Sequence, residues 1–161
     1  MITRPARTSD AKAIQKLVNH FAEQDLMLHR SMESIYDSLR EFIVAENSDG
    51  TIVGCVAVDI YWADQAEIRS LAVSEDVSGR GVGALLIEAC IQDARKLGID
   101  RLFAMTYVKQ FFEKQGFHEV DIMTLPEKVW RECLEWYARG HRHETAMLLD
   151  METETDAEKA R

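Results

Sequence analysis

Between Ser70 and Leu86 a strand pattern runs into a helix pattern through a loop with Gly79, Gly81 and Gly83 on alternate positions. Glycines there let the backbone approach a ligand, and the first N–H groups of the helix have no carbonyl one turn back. With the helix dipole, the backbone from Ser78, Gly79, Arg80 and Gly81 into Val82, Gly83 and Ala84 forms an anion site suited to a pyrophosphate. Arg80 adds a full positive charge beside it. The G-x-G-x-G spacing is not the G-x-G-x-x-G of a dinucleotide-binding βαβ unit, because the strands before it form a meander. No Gly-Lys-Ser/Thr follows, so it is not a P-loop either. A plain flexible turn is the other reading of the same residues.

The strand that feeds this loop, Gln65 to Val73, carries charge. By the two-residue period Glu67, Arg69, Leu71 and Val73 share one face. Glu67 there reads as a general base steadied by Arg69, or as half of a cross-strand ion pair. Cys90 falls on an apolar helical stripe and is expected to be buried and inert. His141 and His143 with Cys133 match no standard ligand spacing, so no metal is expected. Trp62, Trp130 and Trp136 read as packing residues.

The elements that must hold these residues alternate in period. Ile14, Leu17, Val18 and Phe21 recur at helical spacing behind the capping side chains of Thr8, Ser9 and Asp10. A second helix is predicted over Met32 to Leu39. Phe42 to Glu46 and Thr51 to Tyr61 read as strands joined by a turn at Asn47-Ser48-Asp49-Gly50, and Gln65 to Val73 is the third strand of the meander. After Gly83 the period is helical again: Val82, Leu85, Leu86, Ala89, Cys90, Ala94 and Leu97 form the stripe of a long helix, capped by Gly98. Arg101 to Thr106 is predicted as a strand, Val108 to Gln115 as a helix, and Phe117 to Val120 and Thr145 to Asp150 as closing strands. The fold class is therefore α+β, a mixed and mostly antiparallel sheet with a long central helix after the glycine loop.

A chain of 161 residues, 47% apolar and 29% charged, fits one folded domain over residues 1–150, with an acidic, disordered tail over 151–161. The formal charge of −9 argues against nucleic acid or an anionic membrane as partner, because both need clustered Lys and Arg. A small acidic substrate needs only two or three local cations. The N-terminus lacks the apolar stretch of a signal peptide, and three widely spaced cysteines suit a reducing cytoplasm.

Leu71-Ala72-Val73, the glycine loop and Leu85-Leu86 resemble the acetyl-CoA site of the GNAT N-acetyltransferases. Phe111-Phe112-Glu113-Lys114-Gln115-Gly116-Phe117 is similar to that family's (Y/F)-E-K-x-G-F. Asn19-His20-Phe21, Leu26 to Ser31, Ala66 to Val73, Phe103 to Tyr107 and Leu125 to Trp130 further resemble the short, stand-alone N-acetylglutamate synthases of bacterial arginine biosynthesis. Ser78 departs from the Gln or Arg that usually opens the loop, but can still offer its hydroxyl and N–H to a phosphate. Further cysteines that members carry beyond Cys133 are other residue types here.

The resemblance implies acetyl transfer from acetyl-CoA to the α-amino group of L-glutamate, by direct attack in a ternary complex. Another small amine or a peptide N-terminus is the alternative acceptor, and a non-catalytic acyl-CoA-binding module the alternative class. Glu67 would take the ammonium proton, directly or through water. The N–H of Leu71 or Val73 would hold the thioester carbonyl. Leu71, Ala72, Val73, the loop from Ser78 to Ala84 and Phe112 would bind the cofactor. The family's usual general acid is a tyrosine at the place of Phe112, so either Tyr107 stands in or water protonates the thiolate; Tyr107 as a core or rim residue is the other reading. Arg30, Arg69 and Lys109 would hold the carboxylates of the substrate. A homodimer is compatible with the architecture.

Overall fold

The helical spacing of Ile14, Val18 and Phe21 becomes α1, Ala11–Ala22, in a computed structural model in which residues 1–151 are described. Its buried face is Ala11, Ile14, Val18 and Ala22. The remaining helices are α2 (Met32–Asp37), α3 (Val82–Leu97), α4 (Lys109–Lys114) and α5 (Glu127–Ala138). The strands are β1 (Ile2–Pro5), β2 (Phe42–Glu46), β3 (Ile52–Trp62), β4 (Gln65–Val73), β5 (Arg101–Thr106), β6 (His118–Glu119) and β7 (Thr145–Asp150). They form a seven-stranded, mostly antiparallel sheet in the order β1-β2-β3-β4-β5-β7-β6, so the mixed α/β class is as expected. The acidic tail expected over residues 151–161 lies, from Glu152 on, outside the described residues; Met151 itself donates its N–H to the Asp100 carbonyl at 2.8 Å.

The chain forms two compact units, the first of Met1–Asp59 with Ile68–Asp93 and the second of Ile60–Glu67 with the residues from Ala94 on. In the first, β1 pairs antiparallel with β2, and β2 with β3. Ile14, Val18, Ile35, Phe42, Val44, Cys55, Ala57 and Ala72 make its core. Asn47-Ser48-Asp49-Gly50 closes the β2–β3 turn as the Asp-Gly pattern requires. Gly50 has φ 87°, and Asn47 N–H donates to the Thr51 carbonyl at 2.9 Å. In the second unit β5 lies parallel to the start of β4, Gln65↔Arg101 to Glu67↔Phe103, and antiparallel to β7. Phe103, Leu125, Val129, Ala146 and Leu148 are its core.

Several elements differ from expectation. β1 is one: four residues ending in proline show no alternation, and register against Glu46 to Ile43 is what makes them a strand. α5 is another, although Val129 and Cys133, both buried, stand at i, i+4 behind Pro126. α2 stops at Asp37, with a 3₁₀ turn taking Leu39–Glu41. Asp10 stands at the N-cap of α1 but makes no cap bond. Its carboxylate instead accepts from Arg7 N–H at 2.7 Å and from both terminal nitrogens of Arg4 at 2.8 and 3.0 Å.

Arg4 also donates through Nε to Glu46 at 2.6 Å, so one guanidinium ties β1 to β2 and to the entry of α1. The Arg4 and Asp10 side chains are 14% and 7% exposed. Removing one partner therefore strands a charge away from water. The hydrogen bond from Arg4 holds the Asp10 carboxyl below its ordinary range. A carboxylate depressed on folding stabilises above its unfolded pKa. Arg4→Gln is expected to cost about 3 kcal/mol in urea unfolding at pH 7. That gap should shrink as pH falls below about 4, where the unfolded chain takes up the proton first. A gap independent of pH would show that the pair contributes packing alone.

Candidate functional site

The glycine loop belongs to the first unit. After β4 ends at Val73, Ser74 N–H donates to the Val53 carbonyl at 2.8 Å, and a 3₁₀ turn over Glu75–Val77 leads into the loop. Gly79 and Gly81 have φ of 78° and 79°. That is the left-handed region that side chains with a Cβ avoid. A Cβ at either would meet nothing within 4 Å, so the backbone conformation, not crowding, asks for glycine. The N–H groups of Ser78 and Arg80 turn back to the carbonyls of Glu75 and Val77 at 3.1 and 3.3 Å. The expectation that Ser78 offers its N–H to a phosphate is therefore corrected: that donor closes the turn, and the hydroxyl is what remains. The helix begins at Val82, before Gly83. Leu85 N–H makes the bond to Gly81 at 3.1 Å. The N–H groups of Val82, Gly83 and Ala84 precede it with no helical carbonyl to reach. Arg80 is exposed beside them.

What fixes the start of α3 is a residue the sequence reading passed over. Gly54 lies inside β3, and a Cβ there would stand 2.9 Å from Leu86 Cδ1, 3.1 Å from Val82 Cγ1 and 3.4 Å from the Ala72 carbonyl. The glycine lets the first two turns of α3 settle directly on the strand. The available signal is a lone glycine in a run of buried apolar residues, which marks close approach of another backbone or side chain.

Ser70 breaks β4. Its φ of 53° is left-handed for a residue that is not glycine. A strand turned there does not continue its pleat. The expected single row of Glu67, Arg69, Leu71 and Val73 is interrupted for that reason. Ser70 faces two partners: its carbonyl accepts from the Cys55 thiol at 3.6 Å, and its Oγ accepts from Arg30 Nη1 at 3.4 Å. Arg30 precedes α2, positioned through its backbone. Its N–H donates to Asn19 Oδ1 at 2.9 Å, and its carbonyl accepts from Asn19 Nδ2 and Gln15 Nε2, both at 3.2 Å. The guanidinium lies over the Phe42 ring at 5.1 Å. Burial, and then the charge of Arg69, push the Arg30 pKa down. Arg69 in turn stands 3.5 Å from Asp59. Two of the three cations expected at a carboxylate site thus lie in one unit and feel each other.

The second unit holds Glu67, Tyr107, Lys109 and Phe112. Glu67 is 6% exposed on the paired part of β4. The Cys133 thiol is pushed up to about 12, first by burial and then by the charges of Glu144 and Glu67. The Tyr107 hydroxyl donates to the Arg142 carbonyl at 3.0 Å and accepts from Trp136 Nε1 at 2.7 Å. Lys109 pairs with Glu119 at 2.7 Å and Glu113 at 3.7 Å, and the Glu119 hydrogen bond raises its pKa. Phe112 is buried, edge-on to Phe111 and Phe117, each at 5.2 Å. Cys90 is buried with its thiol pushed up to about 12, the inert state expected. Trp62 corrects the packing expectation: it is 65% exposed. His141 and His143 stack on Trp136 and Tyr137 at 3.5 and 3.8 Å. Among the described residues no group of three His, Cys, Asp or Glu is placed to hold a metal.

The acetyltransferase (GNAT) family model matches residues 11–117. The chain belongs to that family. An amino-acid acetyltransferase of Mycobacterium tuberculosis is 36% identical to this GNAT chain over 141 residues, 86% of the chain and 80% of the relative. A Mycobacterium tuberculosis protein solved in complex with CoA superposes with a TM-score of 0.84 at 31% identity, covering 94% of this chain and 99% of that one. An N-acetylglutamate synthase of Neisseria gonorrhoeae, complexed with coenzyme A and N-acetyl-glutamate, gives the same TM-score at 32% identity. It covers 93% of this chain, which spans about a third (35%) of that longer protein.

In this N-acetyltransferase the seat of α3 is testable by itself. Gly54→Ala is expected to cost about 1–3 kcal/mol in urea unfolding, because Leu86 and Val82 must both yield. An unchanged midpoint would show that α3 is not seated by this contact.

Proposed function

We propose that this acetyltransferase moves the acetyl group of acetyl-CoA to the α-amino group of L-glutamate. The observation that carries the reading is the pair Arg30 and Arg69. Both are half-buried, and the side-chain hydrogen bonds of Arg30 go to serine hydroxyls and a carbonyl rather than to carboxylates. A carboxylate of the acceptor would pair with Arg30, and Arg69, which already stands 3.5 Å from Asp59, would add positive charge beside it. The names of the relatives, an amino-acid acetyltransferase and an N-acetylglutamate synthase bound to its product, support the same choice. Lys109 contributes less, because Glu119 and Glu113 already match its charge.

Acetyl-CoA would lay its pyrophosphate on the N–H groups of Val82, Gly83 and Ala84, with Gly79 and Gly81 shaping the loop and Arg80 adding charge. Leu71, Ala72 and Val73 would line the acyl arm, with the N–H of Leu71 or Val73 on the thioester carbonyl. Phe112 is buried among aromatics of the second unit, which does not suit a contact to a phosphate. Glu67 takes a proton from the ammonium, the free amine attacks the carbonyl, and the thiolate leaves as the tetrahedral intermediate collapses. The Tyr107 proton rests on the Arg142 carbonyl, which favours water as the source of the last proton.

The same reading makes residues 1–150 one acetyltransferase domain and places the reaction at the first step of arginine biosynthesis in the cytoplasm. Three free, buried cysteines fit a reducing compartment. A homodimer would use a sheet edge, β1 or β6.

The test is CoA release with acetyl-CoA and a panel of amino acids, amines and peptides. Glutamate should exceed the panel, and Glu67→Gln should lower kcat by about 10²–10⁴ and remove the acid limb of its pH profile. Arg30→Gln should raise KM for glutamate about 10- to 100-fold with KM for acetyl-CoA unchanged. Activity on a basic amine alone would sink the substrate, and CoA binding without turnover would favour an acyl-CoA-binding module.

A further inference from the structure

Arg4 and Arg30 are both partly buried arginines, yet the chain treats them oppositely. Arg4 receives two carboxylates, Asp10 and Glu46. Arg30 receives serines. Its Nε donates to Ser34 Oγ at 3.2 Å, and its Nη2 donates to Ser38 Oγ at 2.6 Å, to Ser34 Oγ at 3.1 Å and to the Ser34 carbonyl at 3.5 Å. Nη1 has two hydrogens and one long contact, 3.4 Å to Ser70 Oγ. Among the described residues none of these contacts is a carboxylate. Ser38 is itself held, donating its hydroxyl to the Ser34 carbonyl at 2.8 Å, so its lone pairs face the guanidinium.

A guanidinium has five N–H donors. Hydroxyls satisfy those on the Nε and Nη2 edge while adding no charge. The ring of Phe42 below fixes the plane. No carboxylate accepts a hydrogen bond from the guanidinium, Glu41 and Asp59 acting on its charge only from farther off, and the Nη1 edge is left to present.

We propose that Ser38, with Ser34 and Ser70, sets the charge class of the acceptor: the serine cradle orients Arg30 without neutralising it, so that an anionic acceptor is selected over a neutral one of the same shape. The serines act through Arg30 and are positioning residues. The inference deepens the glutamate reading and rests on it for the acceptor's identity, while the charge preference can be measured without turnover.

The experiment compares wild type with Ser38→Asp and its uncharged isostere Ser38→Asn, each checked for folding by circular dichroism. Two readouts are taken: the ratio of kcat/KM for glutamate over glutamine, and the thermal shift given by glutarate without acetyl-CoA. Ser38→Asp should lower the glutamate-to-glutamine ratio about 30-fold, the worth of one charge-assisted hydrogen bond, with KM for acetyl-CoA unchanged. It should also abolish the glutarate shift, while Ser38→Asn keeps both the ratio and the shift. If Ser38→Asp does not fold, Ser34→Asp with Ser34→Asn takes its place. Equal loss of the ratio in both variants would reduce the cradle to a structural role and overturn the proposal. A wild type that glutarate does not stabilise would overturn it as well. A glutarate shift lost only in the Asp variant, in a protein that does not turn over glutamate, would uphold the anion cradle and sink the glutamate reading alone.

Discussion

The left-handed turn at Ser70 is the constraint on which the chemistry-bearing strand depends. Its φ is 53°. Such a conformation costs a residue with a Cβ about 1 kcal/mol or more, so neighbours must hold it. Two do. The Cys55 thiol on β3 donates to its carbonyl, and Arg30 donates to its hydroxyl. The consequence is a strand of two parts. Before Ser70, Gln65 to Glu67 pair with β5 and bury Glu67. After it, Leu71 to Val73 lead to the glycine loop. A strand without that turn would keep one side-chain period throughout.

Charge is distributed under a similar constraint. In an acidic chain several cations find a carboxylate: Arg4 with Asp10 and Glu46, Lys109 with Glu119, Arg131 with Glu127 at 2.6 Å, Arg101 with Asp150 at 3.4 Å. The more exposed of these, the pairs of Lys109, Arg131 and Arg101, contribute little stability, typically under about 1 kcal/mol, unlike the buried pair of Arg4 and Asp10. Arg30 stands apart because leaving a half-buried cation among hydroxyls is unfavourable for the empty fold. Such a cost persists where a ligand offsets it.

What is legible in the sequence follows from how each feature is built. The glycine loop is local: three glycines on alternate positions can be read without knowing any contact. The left-handed backbone at Gly79 and Gly81 is a property of the residue itself. α1, α3, the Asp-Gly turn and the strands β2 to β5 carry a period of 3.6 or 2 and fall nearly where the pattern puts them. β1 escapes the pattern because its assignment comes from its partner β2, whereas α5 carries a helical period, Val129 and Cys133 behind Pro126, that the sequence reading passed over. The Arg30 cradle joins positions 30, 34, 38 and 70, which no spacing rule connects. Gly54 is written in the sequence but says only that something approaches; the structure names Leu86 and Val82. The roles of Tyr107 and Lys109 turn on neighbours as well, Arg142 and Trp136 for one, Glu119 for the other.

The engaged state of Tyr107 bears on what the reaction needs from the protein. A general acid must surrender a proton, yet the Tyr107 proton sits on a backbone carbonyl and burial raises the hydroxyl's pKa. Ionising it would break that bond and leave a phenolate to the indole N–H of Trp136 and the Arg142 guanidinium, while burial still opposes the charge. The leaving thiolate is the conjugate base of a thiol with a pKa near about 8.5, so it departs without a proton in hand. The ammonium of an amino acid is the opposite case, since it cannot attack until a base has taken its proton. An enzyme of this chemistry must supply a base and can omit an acid. The chain follows that asymmetry: it buries a carboxylate at Glu67 on the strand that leads to the loop, and it uses its tyrosine to fix the segment where His141, Arg142 and His143 lie over Trp136, Tyr107 and Tyr137.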